Sequence, residues 1–443
     1  MRDVGFFFTW LVLLPLSLYS AHIGVLLWIW VALLSPNELL YGFMISVPYN
    51  KIVAASTILL LAVGKEKNKF YVDRVVVLAA LFGLVVTLAW LFKDFDHPAA
   101  DATYDKFWKQ LVLGLLITGV MWSRHRLHQV VLVVAISYGF LMAKEALIYL
   151  LTAGGHQILG TGSTGDNNVL AMAILMTIPL MLFVANNLAE RWVRLAITAT
   201  AVLGVVTVIA SYSRGGLVGL IALGMMLLKG SKYKVRSFVA VAVVGAVIYG
   251  FAPDSWFARM NTISEAGEDS SFVTRLVAWK INFLLALDHP FLGGGPMASL
   301  LWVNWAKYLE ASSTFLFSTP LIYRTFVAHS IYFQVLGDTG FLGLAMFLLL
   351  LVTAFMMARR TKLMVRAHPE LAWAGELARA LQISLVVYAV AGGALSLVYF
   401  ELLFIVLGLV SRTHMTVAEA IAAKAVPVRA ALPSRLVPAY RTA

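Results

Sequence analysis

The chain has no cysteine, so it forms no disulfide and uses no thiolate chemistry. It is also poor in charge. Asp, Glu, Lys and Arg make up 13% of its 443 residues, about half the share of an average soluble domain. That leaves too little polar surface to coat a water-soluble core of this size. Phosphate-cradling loops of the Gly-x-Gly-x-x-Gly or Walker type are missing, which argues against nucleotide hydrolysis as an energy source. A bond-forming reaction would therefore need a donor that is already activated. No metal-ligand cluster is visible, and no internal repeat supports an inverted-repeat transporter.

What the chain does have is apolar length. Hydrophobic residues account for 61% of it, in long runs and not in the alternating pattern of transmembrane strands. A helix needs about 20 residues to cross the hydrocarbon, and in lipid every backbone group must be bonded internally. The runs therefore read as an all-α polytopic membrane protein of about 12 transmembrane helices, or up to about 14. Spans are expected near 6–19, 22–34, 71–92, 107–122, 127–152, 167–187, 193–211, 215–229, 237–252, 327–357, 375–391 and 393–411. The stretch 39–63 is apolar but broken by Pro48, Asn50 and Lys51, and reads as a re-entrant pair or as two short spans. The run from Phe6 has no cleavage site followed by soluble sequence, so it reads as a retained helix and not a removed signal.

The net charge of +12 is explained by membrane topology and not by a nucleic-acid partner. With the N-terminus placed inside, one set of short loops carries Lys65, Lys67, Lys69, Arg74, Arg124, Arg126, Arg191, Arg194, Lys229, Lys232, Lys234, Arg236, Arg359, Arg360, Lys362 and Arg366. The other set carries only Lys93, Lys106 and Arg214. The positive-inside bias puts the first set in the cytoplasm. Four regions follow: N-terminal spans over 1–252, a large loop outside the cytoplasm over 253–326, C-terminal spans over 327–411, and a basic, Ala/Pro-rich cytoplasmic tail over 412–443 expected to be disordered. Within the loop, 271–287 reads as an amphipathic helix with Phe272, Leu276, Trp279 and Phe283 on one face, of the kind that can lie in the membrane interface.

Three residues on the outer side stand out. Arg214 lies in Ser211-Tyr212-Ser213-Arg214-Gly215-Gly216, between two apolar runs. Arginine's planar fork suits phosphate oxygens, although an arginine at a helix end is commonly an interfacial anchor. Arg275 precedes Trp279 by one turn on the amphipathic helix, where a solvated face with a cation–π contact is an equal reading. His329, in Ala328-His329-Ser330, falls where the loop re-enters the membrane. It is placed to take a proton near neutral pH, while a helix-start His bonded to loop backbone is the commoner fate. Asp338 can orient it only if the chain folds back. Tyr212, Asn168 (within Asp166-Asn167-Asn168) and Glu401 are weaker candidates. Glu401 could serve a proton path or pair with a Lys or Arg. Lys144-Glu145 reads as a local polar network.

In combination, Arg214 in Ser-Arg-Gly-Gly, Arg275-x-x-x-Trp279 leading to Pro290-Phe291-Leu292-Gly293-Gly294-Gly295-Pro296, and Ala-His329-Ser with Gly337-Asp338-x-Gly340 resemble the O-antigen ligase and polymerase superfamily. The motifs cover about 167–345, and Asp166-Asn167-Asn168 is similar to the O-glycosylation-ligase-like subgroup. Many members carry Asn after the histidine, where this chain has Ser330. The resemblance implies a glycosyltransferase-C-like enzyme of the bacterial inner membrane, active on the periplasmic side. Its donor would be a glycan on undecaprenyl pyrophosphate and its acceptor the lipid A-core sugar. It would need no metal and no cofactor, and it would touch membrane lipids but not nucleic acid. It implies His329 as general base and Arg214 and Arg275 on the pyrophosphate, with inversion at the anomeric carbon. A glycan polymerase or protein O-glycosylation ligase of the same superfamily would look alike. From another class, a polysaccharide or lipid exporter would use the same charges to line a path.

Overall fold

The computed structural model describes residues 2–64, 68–156, 158, 160, 166–229, 235 and 270–430. Among these the regular elements are all helical, and seven helices are long and apolar enough to cross a membrane. The protein is an all-α polytopic membrane protein. Its longer helices are α1 (Arg2–Ser17), α2 (Ala21–Leu34), α3 (Pro36–Leu39), α4 (Tyr49–Val63), α5 (Arg74–Leu91), α6 (Pro98–Val120), α7 (Arg124–Leu151), α8 (Asn167–Asn186), α9 (Arg191–Ala210), α10 (Arg214–Lys229), α11 (Ser270–Asp288), α12 (Trp302–Thr314), α13 (Ile331–Met364), α14 (Ala372–Ala391) and α15 (Glu401–Ala430). The span expected at 237–252 and the loop segment 253–269 lie outside the described residues.

Helix α8 is the axis of the bundle. It is apolar all round, the signature of a helix surrounded by other helices, and 83% of its apolar window is buried, against 28% for α9. Helices α7, α9, α10 and α14 pack around it. The Ser384 hydroxyl of α14 donates to the Met176 carbonyl of α8 at 2.6 Å.

The N-terminal helices run opposite to expectation. The 39–63 stretch is neither a re-entrant pair nor two spans: the short α3 is followed by a single apolar helix, α4. His22 at the start of α2 bonds Gln129 near the start of α7, at 2.6 Å. At the other end of α2, Ser35 and Glu38 share a cavity with Lys106 and Glu401. The Asp3 carboxylate accepts from the Gly42 and Met44 amides, at 2.9 and 3.3 Å. Three passes by α1, α2 and α4 therefore put Arg2 on the face that carries the large loop, here called the loop face. The basic asymmetry of the remaining loops is unaffected, because it begins after α4. Lys65, Lys67, Lys232, Lys234 and Arg236 fall outside the described residues.

The tail also departs from expectation. Helix α15 does not stop at 411 but continues to Ala430. Arg412 is fully buried, and it bonds the Lys69 and Trp122 carbonyls and the Glu419 carboxylate, the last at 3.0 Å. A buried guanidinium needs such partners, and the carboxylate among them is supplied by the extended part of the helix. Residues 431–443 lie outside the described residues.

The loop is a small folded body. Helices α11 and α12 enclose Val277, Ala278, Ile281, Leu285, Trp305 and Leu309. Lys280 is buried, and its ammonium bonds the Ser312 and Phe317 carbonyls and the Thr319 hydroxyl while lying over the Phe317 ring. Burial lowers its pKa. Lys307 and the Tyr308 hydroxyl both bond Asp288 at 2.8 Å and hold its carboxyl below the usual range. The expected amphipathic helix is therefore present as α11, but its apolar face is used against α12 and α13.

Candidate functional site at the loop face

The site is assembled from the starts of three helices. Asp166 caps α8, its carboxylate accepting from the Asn168 and Val169 amides at 2.7 and 3.3 Å. Ser213 caps α10, its hydroxyl accepting from the Gly216 amide at 2.9 Å. The same hydroxyl donates to Asn168 Oδ1 at 2.7 Å, and Asn167 Nδ2 donates to the Ser211 carbonyl at 2.7 Å. Those bonds fasten the start of α8 to the turn that carries Arg214. Ser330 occupies the cap position of α13 in an extended conformation.

Small residues let these ends meet. A side chain on Gly215 would sit 3.3 Å from the Ala394 Cβ, and one on Gly216 3.0 Å from that of Ala171. Residues 392–395, following α14, touch the other side: a side chain on Gly392 would meet Ile331, and the Tyr332 hydroxyl donates to the Ala389 carbonyl at 2.7 Å. The end of α14 thus lies between the Arg214 turn and the start of α13.

Arg275 arrives from the loop. Trp279, one turn further along α11, donates its indole N–H to the Ala328 carbonyl at 2.6 Å and stacks on Phe333 at 5.0 Å. That anchors α11 beside His329. The imidazole is half-buried, and its pKa is lowered, first by burial and then by the nearby Arg275 charge, with Asp166 opposing. Neutral at physiological pH, it is fit to accept a proton. His329 and Tyr212 both adopt left-handed backbone, φ 45° and 54°. Such conformations are uncommon for residues with side chains and cluster at functional sites.

Helix N-termini attract anions through free amide dipoles. Three such starts near two arginines and a histidine of lowered pKa are chemically suited to a phosphate-bearing ligand and to accepting a proton beside it. Asn168 is tied to the turn that carries Tyr212 and Arg214, and Arg275 and Asp166 are near enough to act on the charge of His329. Asp338 lies seven residues into α13, about 10 Å along the helix axis from its start. Its carboxylate accepts from the Met297 amide at 3.2 Å and the Tyr399 hydroxyl at 3.0 Å, so it secures the loop and does not orient His329. Glu401 pairs with Lys106 at 3.1 Å, the second of its two readings. Glu145 pairs with Lys144 and also with His156, at 2.8 and 3.0 Å. Ser213 and Asp166 are caps that the sequence analysis above does not name as such. The signal was a Ser or Asp just before an apolar run.

Fold and site together describe a multi-pass membrane protein with three helix starts, Arg214, Arg275 and His329 close to one membrane face. Residues 199–348, which hold Arg214, Arg275 and His329, match the family described as O-antigen ligase. That match supports a place for this part of the chain in the O-antigen ligase superfamily, and supports a membrane enzyme of the ligase/polymerase type. Residues 1–189 match a second family, described as of unknown function. No curated protein matches the chain.

Proposed function

We propose that the protein transfers a glycan from undecaprenyl pyrophosphate to the lipid A-core sugar on the periplasmic face of the inner membrane. The observation that supports this reading is the gathering of Arg214, Arg275 and three helix N-termini around a neutral His329. The acceptor hydroxyl attacks the anomeric carbon of the lipid-linked sugar. A new glycosidic bond forms as the bond to the pyrophosphate oxygen breaks, and undecaprenyl pyrophosphate leaves. The hydroxyl proton passes to the imidazole of His329. Charge grows on the leaving oxygen, where the two guanidiniums and the helix dipoles stabilise it. One in-line displacement inverts the anomeric centre.

The purified protein, given lipid-linked donor and lipid A-core acceptor, should form product without ATP. Movement of donor across a vesicle membrane with no new glycosidic bond would instead mark an exporter. Product formed by joining two donors, with lipid A-core left unused, would mark a polymerase acting through the same residues.

A further inference from the structure

A cavity of about 590 Å³ lies among α10, α13 and α14, toward the ends away from His329. Four cations line it: Lys229, Arg359, Lys362 and Arg379. Lys229 and Arg359 are exposed, and Lys362 and Arg379 are half-buried. None of the four enters an ion pair with a carboxylate among the described residues. Glu376, one turn before Arg379, is instead held by the Asn187 amide at 2.9 Å. Buried Gln382 accepts from Lys362 at 3.0 Å and donates to the Phe355 carbonyl at 3.1 Å, which fixes the ammonium at the cavity wall. The remaining wall is apolar, with Phe355 and Ile383.

Four like charges around one cavity repel each other unless an anion sits among them. Two of the four are arginines, whose forks match phosphate oxygens. The apolar wall beside them suits an acyl chain and has no use for a soluble anion. We infer that this cavity binds an anionic phospholipid, its phosphate among Lys229, Arg359, Lys362 and Arg379 and a chain along Phe355 and Ile383. Basic pockets between membrane helices are suited to such headgroups. The inference stands apart from the chemistry at His329.

The test uses the full chain in detergent, with binding followed by thermal melting on titration with phosphatidylglycerol, phosphatidylcholine or inorganic phosphate. Phosphatidylglycerol should raise the melting temperature saturably, and the other two should leave it unchanged. Each cation at a membrane surface is worth about fivefold in affinity, so R359Q/R379Q should weaken phosphatidylglycerol roughly 25-fold. The exposed K229Q, whose folding is not at stake, should weaken it about fivefold. Unchanged affinity in both variants would overturn the proposal. An equal shift from inorganic phosphate would overturn it too, by showing a free-anion site, and an equal shift from phosphatidylcholine would show that the charges are not read.

Discussion

Gly293 and Gly340 lie backbone to backbone, each in the space the other's side chain would need. A Cβ on Gly293 would fall 2.6 Å from the Gly340 nitrogen, and a Cβ on Gly340 would fall 2.8 Å from the Gly293 nitrogen. Both have positive φ, 64° and 68°. Around them the Gly294 and Gly295 amides donate to the Gly337 and Asp338 carbonyls at 2.9 and 3.0 Å, and the Phe341 amide donates to the Pro290 carbonyl at 2.8 Å. Helix α13 breaks its geometry at Gly340 to make this contact. The two glycine motifs of the sequence are thus the two halves of one clasp, and it docks the loop that carries Arg275.

From this contact, Gly293→Ala or Gly340→Ala should destabilise the protein more than an ordinary surface change. Left-handed backbone alone costs a substituted residue about 1–3 kcal/mol, and here overlap with backbone adds to it. Thermal melting in detergent should fall by several degrees in each variant. A melting point equal to wild type would mean that the clasp is loose.

For His329, alanine should lower turnover about a hundredfold to ten-thousandfold, the usual worth of a general base. Donor affinity should change little, because the arginines and helix ends remain. The pH dependence carries a sign. The base must be neutral to act, and burial with Arg275 holds its pKa below the ordinary 6.5. The wild-type rate should therefore be flat at neutral pH and fall as pH drops through a midpoint below 6.5. A midpoint above that value would remove His329 as the titrating base.

Removing either arginine should mimic loss of one donor to the developing charge, about a hundredfold to thousandfold in rate. Arg214→Ala and Arg275→Ala should still insert and melt near the wild-type temperature. Lysine at either position should rescue only in part, since it lacks the planar fork. Wild-type rates in the double lysine variant would show that fork geometry is not required.

The direction of α1 can be read chemically, because the chain has no native cysteine and each introduced thiol reports alone. Tyr41→Cys lies in the exposed loop before α4, and Arg324→Cys in the exposed loop before His329. An impermeant maleimide should label both from the same side of a sealed membrane. Glu190→Cys, before α9, should be labelled only from the other side. Opposite labelling of Tyr41→Cys and Arg324→Cys would restore an N-terminus on the face away from the loop.

Much of the architecture follows from the chain alone. Apolar runs near membrane length have no other stable form in lipid than helix, so the spans at 71–92, 127–152, 167–187 and 375–391 were legible with ends off by a few residues. Short basic loops stay on one side because charge is costly to move through hydrocarbon. A local motif likewise marks an unusual local need, as the glycines at 293 and 340 do. Tertiary structure decided what hydropathy does not encode. The same apolar composition suits one pass or two through 39–63, and that choice reversed α1. An amphipathic face on 271–287 suits a bilayer surface as well as a protein neighbour, and packing against α12 and α13 settled it. Partners far apart in sequence, such as Ser213 with Asn168, Asp338 with Tyr399, and Arg412 with the Lys69 carbonyl, exist only once the helices meet. Those distant pairs separated Asp338, which holds the loop, from His329 and its neighbour Arg275.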